Sequence, residues 1–227
     1  MEGNEFDDQV TGIAALQHPI SRQAYRLVLD RGWVSRDTAA DSLDVARSVA
    51  AFHLDKLVDA GLLDVRFERV SGRTGPGAGR PAKIYGRTDR EIDVSLPPRR
   101  YDLAGAVLAE AVTRSSSEAI PVDRAVALVA RETGERLGAD AVSGRKSARR
   151  AALMEVLTRH GYEPRAQGRE IALLNCPFHS LAGEHRNLVC GMNLELLTGV
   201  LDGIDRRWYS ARLAPEPGRC CVRLSPR

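Results

Sequence analysis

The run from Trp33 to Thr88, WVSRDTAADSLDVARSVAAFHLDKLVDAGLLDVRFERVSGRTGPGAGRPAKIYGRT, most constrains what this chain can fold into. It holds two helical patterns, a turn, a strand, a glycine-rich basic loop and a second strand, in that order. Ser35 is placed to cap the first helix, and Asp37 puts a carboxylate in its first turn, where the amide dipoles favour negative charge. Asp44 is placed to cap the second helix. There Ala50, Leu54, Leu57 and Val58 recur at i, i+4, i+7 and i+8, which gathers apolar side chains on one face. Gly61 ends it. Arg47, Ser48 and Ala51 lie on the opposite face, with Phe52 and His53 on the flanks, so the first half of this helix is left free to touch a partner.

After the helix, Leu63, Val65 and Phe67 alternate with Asp64, Arg66 and Glu68, the period of a strand with one buried side, closed by Val70. Ser71 to Lys83 holds four glycines and two prolines and reads as a long hairpin loop before Ile84 and Tyr85 resume a strand. From Arg69 to Arg90 the cations Arg69, Arg73, Arg80, Lys83, Arg87 and Arg90 face a single acid, Asp89. This order of elements is that of a winged helix-turn-helix, whose second helix enters the DNA major groove. Arg47 is suited to bidentate guanine contact, Ser48 to phosphate or base, and Phe52 to a thymine methyl. Arg73, Arg80 and Lys83 are suited to phosphates. His53 completes the candidate DNA-binding set, although its position at the helix edge fits a structural role better than base reading. A winged helix that binds protein instead of DNA is the alternative.

The run RSVAAFHLDKLVDAGLLDVRFERVSGRTGPGAGRPAKIY resembles the winged helix of ArsR-type bacterial regulators, with FHLDKLVDAGLL standing where that family ends its recognition helix. The resemblance covers roughly the first 95 residues. It implies a transcriptional regulator, most often a repressor, acting as a homodimer on a palindromic double-stranded operator.

At 227 residues the chain is long enough for two domains with ordinary cores. A net charge of +3 makes the basic loop a local feature rather than part of a polycation. No apolar run approaches the ~20 residues needed to cross a bilayer. The acidic start MEGNEFDDQV lacks the pattern of a secretory leader, so the expectation is a cytoplasmic protein with no membrane partner. In that compartment the four cysteines are expected as thiols or metal ligands rather than disulfides.

Residues 1–10 read as a disordered tail. Gly12 to Asp30 supplies a support helix, with Pro19 near its start and Ser21 placed to cap it. Pro97-Pro98 prevents a helix from crossing, which sets a boundary: 11–96 as the winged helix-turn-helix domain and 97–227 as a dimerisation and sensor domain. In the latter, Asp102 caps a helix whose stripe of Leu103, Val107, Leu108 and Ala111 serves either a dimer seam or its own domain. Helices follow from Pro121 to about Leu137 and from Ala148 to His160. A hairpin then turns near Gln167-Gly168. The class is α+β, an N-terminal winged helix-turn-helix followed by a mixed sensor domain.

All four cysteines, Cys176, Cys190, Cys220 and Cys221, fall in the last quarter, and none occurs before residue 176. Cys176 ends a strand, and Cys190 reads as first-turn in a helix over 190–203, where free amides favour a thiolate. Cys220 and Cys221 read as neighbours on a strand and so point to opposite faces. Cys220 is chosen to join the other two, with Cys221 as the buried alternative. His179 and His185 are nearby nitrogen donors, and Glu195 lies on the helix begun by Cys190. Three cysteines with a nitrogen or oxygen ligand suit zinc or an iron–sulfur cluster, and the candidate metal set is Cys176, Cys190, Cys220 and His179.

The arrangement is similar to the C-terminal domain of SufR-type regulators, which join an ArsR-like winged helix to a C-x12-C-x13-C-x14-C pattern. Here 13 residues separate Cys176 from Cys190 and 29 separate Cys190 from Cys220, with Ile204 where the third cysteine would stand. The resemblance implies sensing of redox or iron–sulfur status through a cysteine-held cluster. Zinc, or a small organic ligand with no metal, remains open. An enzyme is not expected: a Cys176/His179 or Cys190/His185 pair comes with no oxyanion-hole loop, and GPGAGR lacks the lysine and hydroxyl residue of a phosphate loop.

Overall fold

A computed structural model describes residues 5–68, 81–142 and 149–227. The fold is α+β, with two small antiparallel sheets among the described residues, and the chain divides into two compact units, Met1–Val94 and Ser95–Arg227.

The first unit opens with α1 (Glu5–Ala15), so residues 5–10, expected in a disordered tail, are helical. Ala15 is buried, and Asp8 lies 3.8 Å from Arg90. A Cβ at Gly12 would run into Ile92, so the helix lies close against that chain segment. In α2 (Pro19–Arg31) the cap is His18, whose Nδ1 accepts from Ile20 N at 3.2 Å; Ser21, expected as the cap, is turned inward and fully buried. Ser35 caps α3 (Arg36–Leu43) as its position suggests, accepting from Thr38 N at 3.1 Å. Asp44 does not cap the next helix. It takes a left-handed conformation (φ 52°) and closes α3, while α4 (Arg47–Asp59) starts after Ala46 with no side-chain cap. An aspartate tolerates that conformation better than a branched residue.

Beyond α4, β2 (Leu63–Glu68) pairs with β3 (Ala82–Arg87), and β3 pairs in turn with the two-residue β1 (Val34–Ser35), giving the order β1-β3-β2. β1 was not expected. Its pairing of Val34 with Tyr85 ties the start of α3 to the sheet. Gly86 is a close-approach position, since a Cβ there would meet the Trp33 ring at 2.6 Å. Leu54, Leu57, Leu63 and Tyr85 form the centre of the core. Each fully buried leucine contributes roughly 1.5–3 kcal/mol.

The second unit holds α5 (Tyr101–Glu118), α6 (Val122–Val142), α7 (Arg149–Arg159), α8 (His179–Glu184) and α9 (Arg186–Asp205). Its sheet combines β4 (Pro164–Gln167), β5 (Glu170–Leu173), β6 (Tyr209–Leu213) and β7 (Val222–Pro226), ordered β4-β5-β7-β6. The hairpin turn falls at Gly168, whose φ of +62° suits glycine. The stripe on α5 faces its own unit, with Ala104, Val107 and Ala111 in the core.

At the centre, α6 and α9 approach backbone to backbone. A Cβ at Gly134 would overlap Leu196 O and lie 2.8 Å from Val200 N; one at Gly199 would overlap Arg131 O and lie 2.9 Å from Glu135 N. Gly138 and Gly203, each one turn further along, meet the facing carbonyls of Val200 and Glu135 in the same way. Arg131 clamps this crossing from α6, reaching Glu195 at 3.1 Å and Asp202 at 2.5 Å on α9.

Candidate functional site: a thiol-lined cavity and an exposed helix face

In the first unit, α4 buries Ala50, His53, Leu54 and Leu57, a stripe at i, i+3, i+4 and i+7. The outward face carries Arg47, Ser48 and Val49, and Phe52 is 64% exposed. Three of the expected contact residues, Arg47, Ser48 and Phe52, therefore share one solvent-facing surface. Arg47 is ion-paired with Asp37 of α3, both largely exposed, a pair of the kind that contributes little to stability and exchanges readily.

His53 does not belong to that surface. It is buried, its Nδ1 lies 2.9 Å from Ser21 Oγ, and its ring stacks on His18 at 4.4 Å. Burial, then the neighbouring His18 and Lys56, lowers its pKa. The i+3 position within the apolar stripe accounts for the inward turn. Lys83 is likewise engaged internally: its Nζ is 2.5 Å from Asp55 Oδ1. Tyr85 donates to the same oxygen at 2.8 Å, and Arg36 reaches Asp55 Oδ2 at 2.7 Å and the Tyr85 hydroxyl at 2.7 Å. Burial opposes the Asp55 charge, but hydrogen bonds from Lys83 and Tyr85 and the Arg36 charge outweigh it and hold the carboxyl below its ordinary value. This network joins α3, α4 and β3, and local pattern did not reveal it because its members are distant in sequence. Arg73 and Arg80 lie outside the described residues.

In the second unit, a cavity of ≈ 810 Å³ is lined by Cys176, Cys190 and Cys221, with His179, Arg186 and Arg219 also on its wall. Cys176 stands in the loop after β5, which is held in place from three sides. Arg99 donates to Asn175 Oδ1 and to Cys176 O, both at 2.7 Å, and the Asn175 amide donates to Pro98 O at 2.8 Å and Gly161 O at 2.6 Å.

Cys190 is not in a first turn. α9 begins four residues earlier, at Arg186, because α8 and α9 meet at His185 with little loop between them. Burial, then its hydrogen bond with Cys221, pushes the Cys190 thiol up to about 12, opposite to the expected effect of a helix end. Cys220 and Cys221 are also displaced from their expected element, preceding β7 rather than lying in it. The strand rule of opposite faces therefore does not apply to them. Cys221 lines the cavity, whereas Cys220 sits behind it, 4% exposed.

The four thiols nevertheless lie close enough to shift one another's protonation. Hydrogen bonding with Cys220 lowers the Cys221 thiol to about 6 against burial, with help from Cys190 and Asn193. Hydrogen bonding with Cys176 and Cys221, together with burial, raises Cys220. A buried polar line approaches these thiols from the core: Tyr162 donates to Asn193 Oδ1 at 2.5 Å, and the Asn193 amide lies 3.2 Å from Cys220 Sγ.

All four thiols are free. Among the described residues, no group of three or more His, Cys, Asp and Glu side chains is arranged to hold a metal ion. His179 is on the cavity wall; Glu195, by contrast, is engaged by Arg131. No helix among the described residues is long and apolar enough to cross a membrane. No protein-family model matches the sequence, no curated protein is similar to it, and no solved structure matches the fold.

Proposed function

We propose that the chain is a DNA-binding transcriptional regulator, with a winged helix-turn-helix in the first unit and a thiol-based sensor in the second. The observation that carries this reading is the outward face of α4, where Arg47, Ser48 and Phe52 stand together over a well-filled helical core. A helix so mounted can be pressed into a major groove without disturbing its own packing, and an arginine there can read guanine O6 and N7. In a homodimer the two helices would serve half-sites about one helical turn, ~34 Å, apart. The resemblance to ArsR-type and SufR-type regulators supports the same reading.

In the sensor unit thiolates are the donor type that iron–sulfur clusters and zinc take. No three of the described His, Cys, Asp and Glu side chains are arranged to hold a metal ion, so the cluster reading is supported by the resemblance and by the three thiols on one cavity wall. Cys176, Cys190 and Cys221 would hold the group, in place of a set containing Cys220, with His179 as the nitrogen donor on the cavity wall. When bound, a cluster would supply a redox-labile centre. The chain's own part is to position the loop of Cys176 through Arg99 and Asn175 and to aim the Asn193 amide at the sulfurs. A cavity of ≈ 810 Å³ exceeds what one metal ion needs and favours, as a second reading, a small organic effector in the same place.

The test is selection of bound duplexes from a randomised pool, followed by titration of the selected duplex at several salt concentrations. Wild-type affinity should fall steeply with salt, and Arg47→Ala should cost about 1–3 kcal/mol with relaxed preference at one base pair. Failure to enrich any duplex, or identical affinity for wild type and Arg47→Ala, overturns the DNA-binding reading. Absorbance and metal content of the anaerobically purified chain separate cluster, zinc and metal-free states.

A further inference from the structure

The wall of the ≈ 810 Å³ cavity changes character with depth. Arg186, Leu213, Pro215 and Pro217 are exposed, whereas Cys176 and Cys190 are buried, so charge and open carbon surface stand toward solvent and thiols within. Residues 216–219 form a tight turn on this wall. Arg219 N donates to Glu216 O at 3.3 Å, and Gly218 has a φ of +73°, with proline before it, as such a turn requires.

The turn brings Glu216 and Arg219 together, and Glu216 is engaged on both oxygens, by Arg219 at 3.2 Å and Arg223 at 2.5 Å. Glu170, which also meets Arg223 at 3.4 Å, has Arg212 as its own counter-ion at 3.2 Å. Among the described residues Glu216 is the one acid on the wall, and Cys221, lowered to about 6, adds one thiolate. Against that carboxylate and thiolate stand three guanidiniums, Arg186, Arg219 and Arg223, an excess of one positive charge. The excess rests on Arg186, which makes no ion pair or side-chain hydrogen bond among the described residues.

We propose that the cavity binds a small organic monocarboxylate, its carboxylate against Arg186 and its hydrocarbon body directed inward past Leu213 and Gly191. A volume of this size, mostly apolar with a few charged groups, is that of a small-molecule site. One unpaired cation matches a single negative charge, and a polyanion would bring charges that the wall leaves unpaired. The inference rests on the reading of this cavity as an effector site and names the effector's class; it needs neither DNA nor a bound metal.

Full-length chain, reduced and freed of metal with a chelator, is titrated calorimetrically with octanoate, and separately with octanamide and inorganic phosphate. Octanoate should bind at one site, octanamide at least about tenfold more weakly, and phosphate not at all. Arg186→Ala should weaken octanoate about tenfold and leave octanamide unchanged, and Arg186→Lys should restore most of the loss. Gly191→Leu fills the cavity: outside its own helix backbone, no atom of the described residues lies within 4 Å of the Cβ position, so the helix should persist by circular dichroism while octanoate binding is lost. Absence of octanoate binding, or octanoate affinity unchanged by Gly191→Leu, overturns the proposal. Equal affinity for octanoate and octanamide overturns the carboxylate class and leaves an uncharged effector in its place. The wild-type comparison decides even if a variant fails to fold, and failure to enrich a duplex strikes the DNA-binding reading alone.

Discussion

Replacing Gly134 by alanine sets two effects of opposite sign against each other. In a helix interior alanine is favoured over glycine by about 1 kcal/mol, which by itself would stabilise α6. Against this, the new Cβ would overlap Leu196 O and lie 2.8 Å from Val200 N, where ordinary contact begins at 3.4 Å. Both obstacles are backbone atoms of α9, so no side chain can turn aside. The helices must part by roughly 1 Å, and a gap of that size forfeits a quarter to a half of the attraction at each facing contact. Overpacking costs ~1–3 kcal/mol. With Leu196, Leu197 and Val200 all losing contact, about 3 kcal/mol is expected, leaving a net loss of about 2 kcal/mol after the helical gain. Gly105→Ala in α5 is the control: outside its own helix backbone, no atom of the described residues lies within 4 Å of its Cβ position, so only the gain of ~0.5–1 kcal/mol remains. Chemical denaturation of the full chain, followed by circular dichroism, should move the two variants in opposite directions. Equal or greater stability for Gly134→Ala would refute this account of the helix crossing.

Three further outcomes follow from the geometry. Asp55→Ala removes the shared acceptor of Arg36, Lys83 and Tyr85; with the carboxylate partly exposed, a loss of roughly 1–2 kcal/mol is expected in the same denaturation assay. Because the Asp55 pKa is depressed in the folded state, its contribution is present above the ordinary carboxylate value and is lost as pH falls through the lower, folded value; the stability difference between wild type and Asp55→Ala should shrink in that acid range. His160 is lowered to about 4 by burial and then by Arg100 and Arg159, and its buried Nδ1 has no hydrogen-bond partner among the described residues. Its effect on stability is therefore complete above an ordinary value of about 6.5 and lost between there and about pH 4, worth roughly 1–2 kcal/mol after allowance for partial exposure. His160→Leu should flatten that part of the stability profile.

Much of the first unit was legible because its signals are local. The Ser35 cap, the α4 stripe and the alternation of Leu63, Val65 and Phe67 each declare themselves within a few residues. The errors came where two local rules competed. Asp44 satisfies a helix cap and a left-handed closure equally well in sequence, and the earlier end of α3 claimed it. His53 reads from its position as a helix-edge residue better suited to a structural role, and its spacing from Ala50 and Leu57 carries it fully into the buried stripe and off the candidate contact surface. In the second unit the cysteines were conspicuous, but their orientation depended on element boundaries. Starting α9 at Arg186 moved Cys190 away from a helix end, and starting β7 at Val222 released Cys220 and Cys221 from strand alternation. The glycine pairs of α6 and α9 carry no apolar signal, so hydrophobic periodicity could not reveal the close crossing they make.

The larger sheet ends on one side with β4, which starts at Pro164 and carries Arg165, and on the other with β6, which carries Arg212. Proline withholds an amide donor, and the arginines bring charge to margins where an incoming strand would have to dock. Growth by extension of this sheet is thereby discouraged at both of its margins.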